Sequence, residues 1–163
     1  MSAPTNPRFS LTDHFGNPVT ETSFRGRWQF VFFGFTHCRS VCPQALRRFS
    51  AILDDLGDLA YRLDALYITV DPDRDTPTVM KEFLSSYPRF TGLTGSTADI
   101  ESVMREFRAF AVRVDDPAEV GGYRVPHTAM SYLISPSGDY VTHFSDATPE
   151  NVVSSRLRLH LTL

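Results

Sequence analysis

Residues 28–43 read WQFVFFGFTHCRSVCP. The first half, Trp28 to Phe35, is a continuous apolar run rich in aromatic and β-branched residues. It is too short for a typical helix and predicts a strand buried on both faces, as in the covered parallel sheet of an α/β protein. The second half holds the only two cysteines, Cys38 and Cys42, and ends on Pro43, a residue suited to the first position of a helix. From Gln44 to Leu59 apolar residues recur at helical spacing (Leu46, Phe49, Ile52, Leu53, Leu56). The cysteines are therefore expected in the turn where a buried strand passes into a helix.

The flanking chain repeats this alternation. Leu63–Val70 (LDALYITV) predicts a second buried strand, and Thr76–Pro77 an N-cap and first helical residue, with the helix running to about Tyr87. Phe90–Thr94 reads as a short strand, and Ser96 or Thr97 as the cap of a helix ending near Phe110. Asp115 to Tyr123 is a polar loop with one Pro and two Gly. Met130–Ile134 and Tyr140–Phe144 form a hairpin around Pro136–Gly138, and Thr148–Pro149 opens a last helix. Phe9–Thr12 and Pro18–Thr20 flank a Gly16–Asn17 turn, an opening hairpin. Strand–helix–strand–helix followed by a hairpin and a helix is the order of an α/β thioredoxin-like fold, here with an additional N-terminal β-hairpin. In such a sheet the site lies beyond the C-terminal ends of the parallel strands, where the cysteine segment falls.

At 163 residues the chain is expected to be one thioredoxin-like domain over 1–163, with residues 1–7 flexible. Its 42% hydrophobic and 21% charged residues exclude bulk disorder. A chain of this size buries a full core without a disulfide or a metal, so its cysteines point to function rather than to structural bracing. The net charge of −3 argues against a nucleic-acid partner. No apolar run approaches the roughly 18–20 residues of a membrane span. The opening MSAPTNPRFS lacks the apolar stretch of a signal peptide. It fits either a cytosolic protein or a domain whose targeting or anchor segment is absent from this chain.

Two cysteines four positions apart can share one face of a helical turn, roughly 40° from each other. A helix N-terminus favours thiolate over thiol, and the thiolate is both nucleophile and metal ligand. A structural disulfide here would close a very short loop and stabilise little. Plain thiol–disulfide exchange remains open, although redox motifs of the thioredoxin type use C-x-x-C rather than C-x-x-x-C. A third ligand would favour metal. His14, His143 and His160 read as surface or packing residues, and His37 is expected to face away from its neighbour Cys38. His127 lies between the polar loop and the hairpin, in a segment that faces the cysteine turn in this fold, and is the candidate. Two thiolates and one imidazole suit Cu(I) through sulfur and Cu(II) once nitrogen joins. Structural zinc calls for four ligands.

Four stretches make the chain similar to the Sco (SenC) family of copper-binding, thioredoxin-like proteins. Gly34-Phe35-Thr36-His37-Cys38 through Cys42-Pro43 matches G-F-T-x-C-x-x-x-C-P, and Val70 to Pro77 (VDPDRDTP) matches V-D-P-x-R-D-T-P. His127-Thr128 with Tyr132-Leu133-Ile134 and Pro136–Gly138 matches H-[ST]-x-x-x-Y-L-I-x-P-x-G, and Phe9–Trp28 resembles the entry hairpin. The resemblance implies copper held by Cys38, Cys42 and His127, on a pair that must be reduced before metal loads. It implies a metallochaperone that delivers copper to the dinuclear copper site of cytochrome c oxidase. The oxidase copper-site subunit would be the partner, with a thioredoxin-like reductant or another copper chaperone upstream. It also implies a domain on the periplasmic side of a bacterial inner membrane, held by an anchor absent from this chain. The alternative is an enzyme, a thiol–disulfide reductase using Cys38 and Cys42 on the oxidase's copper-site cysteines or other envelope proteins. A redox- or copper-sensing module is a third reading. A peroxiredoxin is weaker, because Phe35 and Arg39 stand where threonine would precede a peroxidatic cysteine. In Asp71–Asp75 the plain expectation is structural, with an Arg74–carboxylate pair holding the loop. One departure stands out: the family commonly has Asp before the metal histidine, and here it is Pro126. That change removes a carboxylate that could orient the imidazole, and it stiffens the approach.

Overall fold

The computed structural model describes residues 6–36 and 41–162, with positions 41–43 and 120 described by backbone alone. Its centre is a seven-stranded sheet. β1 (Ser10–Asp13) and β2 (Pro18–Thr20) form the N-terminal hairpin, and β3 (Trp28–Gly34), β4 (Leu63–Thr69) and β5 (Phe90–Thr94) are mutually parallel. β6 (Val114–Asp115) and β7 (Tyr123–Arg124) make a separate two-stranded ribbon, and β8 (Met130–Ile134) and β9 (Tyr140–Ser145) the C-terminal hairpin. The order across the sheet is β2-β1-β5-β4-β3-β8-β9. This is the thioredoxin-like arrangement expected from the element order. The additional hairpin extends the sheet through antiparallel pairing of β1 with β5.

The helices form where local chemistry starts and stops them. α1 (Val41–Leu56) buries Leu46, Phe49, Ile52, Leu53 and Leu56 and ends at Gly57, whose φ of +59° suits a residue without a side chain. It begins two residues before Pro43, earlier than expected from the sequence. Proline is tolerated there because first-turn N–H groups have no partner within the helix. Cys42 thus lies inside the first helical turn rather than in the preceding turn. α2 (Pro77–Phe83) has Thr76 as N-cap, accepting from the Val79 N–H at 3.3 Å. α3 (Thr97–Glu106) opens on a capping box between Ser96 and Asp99. It stops before Phe110, with Arg108 in the left-handed region at φ 57°. α4 (Glu150–Leu161) packs against α1.

β3 is buried on both faces, as its apolar run requires. Val31 and Phe33 join one core layer with Leu66, Ile68, Phe107 and Tyr132; Phe30 and Phe32 join the other with Leu46, Phe49, Tyr67 and Leu157. Pro7 is buried, and the Arg8 N–H donates to Glu106 at 2.8 Å; residues 1–5 lie outside the described residues. The Tyr132 phenol lies against Phe33, Phe107 and His143, and burial pushes its pKa up from 10.0 to about 12. A phenol whose pKa is raised by folding contributes stability that is complete below the unfolded value. That contribution is lost as pH climbs from about 10 to about 12, and it amounts to about 2–3 kcal/mol. Urea unfolding of wild type and Tyr132→Phe across this window is expected to show a shallower alkaline loss in the variant.

Candidate metal centre

The C-terminal ends of β3 and β4 bring three loops together. The first leaves β3 through Phe35 and Thr36 toward the cysteines. Cys38 and His37 lie outside the described residues, and of Cys42 only the backbone is described.

The second loop, Val70 to Thr76, leaves β4 and is bound to the first. Asp75 is fully buried, and among the described residues its carboxylate accepts from Thr36 and Thr69. Oδ2 accepts from the Thr36 N–H at 3.0 Å and from Thr69 Oγ1 at 2.7 Å, while Oδ1 accepts from Thr36 Oγ1. Asp71, also buried, accepts from Arg74 Nε on Oδ2 and from the Tyr123 hydroxyl on Oδ1 at 2.8 Å. The expected Arg74–carboxylate pair is therefore present, with Asp71 as the partner.

The third loop is the ribbon. It runs from Phe110 to Thr128, with Ala111 bridged to His127 and the Val112 N–H donating to Pro126 O at 3.0 Å. Tyr123 joins it to the second loop. The Arg74 guanidinium carbon lies 3.8 Å from the Tyr123 ring centroid and that of Arg113 3.5 Å. Two guanidiniums this close cannot share one face, so they sandwich the ring. Burial raises the Tyr123 pKa, the hydrogen bond to Asp71 adds to it, and the two arginines act in the opposite direction. The sequence read this region as a plain polar loop; two-residue strands are too short to carry a periodic signal.

His127 stands at the base of the ribbon. Its Nδ1 is 2.9 Å from Val125 O and its Nε2 is 3.1 Å from Phe33 O, near the end of β3. The ring meets Phe35 edge to face, centroids 5.9 Å apart. A neutral imidazole has one N–H for these two carbonyls. Donation from Nδ1 to Val125 O is the support that metal-binding histidines typically use, and it leaves the Nε2 lone pair for a metal. In that tautomer a backbone carbonyl stands where a carboxylate could otherwise accept from the ring, with Pro126 in place. The Val125–Pro126 bond is trans, like every peptide bond among the described residues. Asp146 is a carboxylate on which His127 acts. The residue is exposed, yet partial burial of its carboxyl raises its pKa, and Arg48 and His127 oppose that rise.

The other described histidines have structural partners. His14 Nδ1 accepts from the Gly92 N–H at 3.0 Å, His143 contacts the Tyr140 hydroxyl, and His160 lies beside Trp28. No cluster of three metal-ligating side chains occurs among the described residues. A cavity of about 510 Å³ beside Arg27, Asp64 and Arg89 lies at the N-terminal ends of the parallel strands, away from this centre.

The family model for SCO1/SenC matches residues 1–162. The chain belongs to the SCO1/SenC family. It is 34% identical over 147 residues to a SCO2-like protein of Rickettsia felis, covering 89% of this chain and 72% of that one. It is 31% identical over 156 residues to the human mitochondrial SCO1 homolog, covering 94% of this chain but only 52% of the relative. The solved copper-bound ScoI of Bradyrhizobium japonicum superposes with a TM-score of 0.83 at 38% identity, over 94% of this chain and 98% of that one. Among the described residues no helix is long and apolar enough to cross a membrane.

Proposed function

We propose that this Sco-family protein carries one copper ion on Cys38, Cys42 and His127 and passes it to the dinuclear copper site of cytochrome c oxidase. The observation that carries the reading is His127. Its Nδ1 is supported by Val125 O, and its Nε2 lies at the end of the strand that leads to the cysteines. Family membership and the copper-bound ScoI of B. japonicum support copper as the cargo. Two thiolates alone suit low-coordinate Cu(I); adding the imidazole makes a set suited to Cu(II). A site with so few ligands leaves room for an incoming thiolate, so handover proceeds by ligand exchange with the receiving subunit. The oxidase copper-site subunit is the partner in this reading. In this reading the domain works on the periplasmic side of a bacterial inner membrane.

Titration of the reduced protein with Cu(II) tests the proposal. A strong thiolate-to-copper absorption saturating at one equivalent, lost in Cys38→Ser and Cys42→Ser, is the expected result. Conversion of both thiols to a disulfide without a stable copper species would overturn the carrier reading. The Cys38–Cys42 pair would then be the redox couple of a thiol–disulfide reductase.

A further inference from the structure

We infer that Asp75 is a positioning residue for the cysteine turn and acts through Thr36, an inference that rests on Cys38 and Cys42 being the working thiols. Four features of the geometry point this way. Asp75 is fully buried, and its carboxylate accepts from both the N–H and the hydroxyl of Thr36, two residues before Cys38. Another donor, Thr69 Oγ1, is on the neighbouring strand β4 and itself accepts from the Asp71 N–H at 2.9 Å. Asp75 is also fixed from behind: its carbonyl accepts from Thr94 Oγ1 at 2.7 Å and its N–H donates to Asp71 O at 2.9 Å.

The start of α2 does not explain this carboxylate, because Thr76 is the residue that caps it. A buried carboxylate is costly unless hydrogen bonds satisfy it, and here satisfaction requires Thr36 in one place. Asp75 therefore sets where the chain leaves β3 and enters the cysteine turn. The Tyr123–Asp71 hydrogen bond continues the network to the ribbon that holds His127. Both halves of the centre are thus referred to one loop, Val70 to Thr76.

The test uses Asp75→Asn, Thr36→Val and Thr36→Ser. The asparagine keeps the volume but turns an N–H₂ toward groups that already donate. The valine keeps the carboxylate and removes only the hydroxyl tether, and the serine restores that tether. Cu(II) affinity is expected to fall about 10–100-fold in Asp75→Asn and less in Thr36→Val, with a shifted thiolate-to-copper band, and to return in Thr36→Ser. In the metal-free proteins, the thiol–disulfide equilibrium constant of the pair against a small dithiol is expected to move about threefold or more in the first two variants and not in the third. The second readout needs no copper. If the wild type binds no copper while the variants still shift this equilibrium, the carrier reading falls and the positioning role stands. If Asp75→Asn does not fold, Thr36→Val decides alone. Wild-type values of both readouts in Thr36→Val and in any folded Asp75→Asn would overturn the inference.

Discussion

Replacing His127 by alanine is expected to weaken Cu(II) binding by about a hundredfold or more while leaving Cu(I) binding within about tenfold of wild type. The asymmetry follows from the donor set. Cu(I) is satisfied by two thiolates, whereas Cu(II) gains from the imidazole nitrogen. In the structure Nε2 lies 3.1 Å from Phe33 O, so binding a metal at that nitrogen means giving up this contact. In the tautomer that donates from Nδ1, Nε2 carries no proton and makes no hydrogen bond to that carbonyl, so no bond has to break for copper to reach it. The check is a pair of competition titrations, one against a Cu(II) chelator and one against a Cu(I) chelator, on wild type and variant. Equal losses in both oxidation states would mean that His127 acts through the fold rather than as a ligand. No loss in either would remove it from the centre.

The sheet was legible in the sequence because its strands are long apolar runs between strong breakers. WQFVFFG over Trp28–Gly34 and LDALYIT over Leu63–Thr69 have no competing reading as amphipathic helices. The cysteine turn and His127 were visible as residue types at suggestive places. What held them was not. The Thr36–Asp75 bonds join residues 39 positions apart, and a side-chain hydrogen bond leaves no periodic trace in either segment. The same holds for Tyr123 between Arg74 and Arg113: the residues are ordinary, and only the ribbon brings them together. Pro126 shows the limit from the other side. The missing Asp takes away one possible support for the imidazole, while a main-chain carbonyl, invisible to any reading of side chains, lies 2.9 Å from Nδ1.

The largest stability effect is expected at Phe49, and it bears on the same centre. Its ring is 2% exposed and packs edge to face on Phe30 at 5.4 Å and against Phe32 at 4.3 Å between centroids. Phe30 and Phe32 belong to β3, and Phe49 to α1, so this contact seats the helix on the strand that precedes the cysteines. Phe49→Ala is expected to cost about 3–5 kcal/mol, the lost transfer energy plus the cavity left behind. At roughly 2–4 °C per kcal/mol for a chain of this length, the thermal midpoint should fall by about 10 °C or more. Phe49→Leu, which refills most of the space, should recover the larger part of that loss. Denaturant unfolding of the metal-free proteins is the direct measurement. A cost below about 1 kcal/mol for the alanine would mean that α1 does not rest on β3 through this ring. Because Cys42 is in the first turn of the same helix, loosening α1 should also lower the gain in midpoint that copper gives. That gain reports binding to the folded state alone. His127→Ala is expected to leave the metal-free midpoint near wild type and remove the Cu(II) gain. Phe49→Ala is expected to lower both, and the two variants together separate holding the helix from holding the metal.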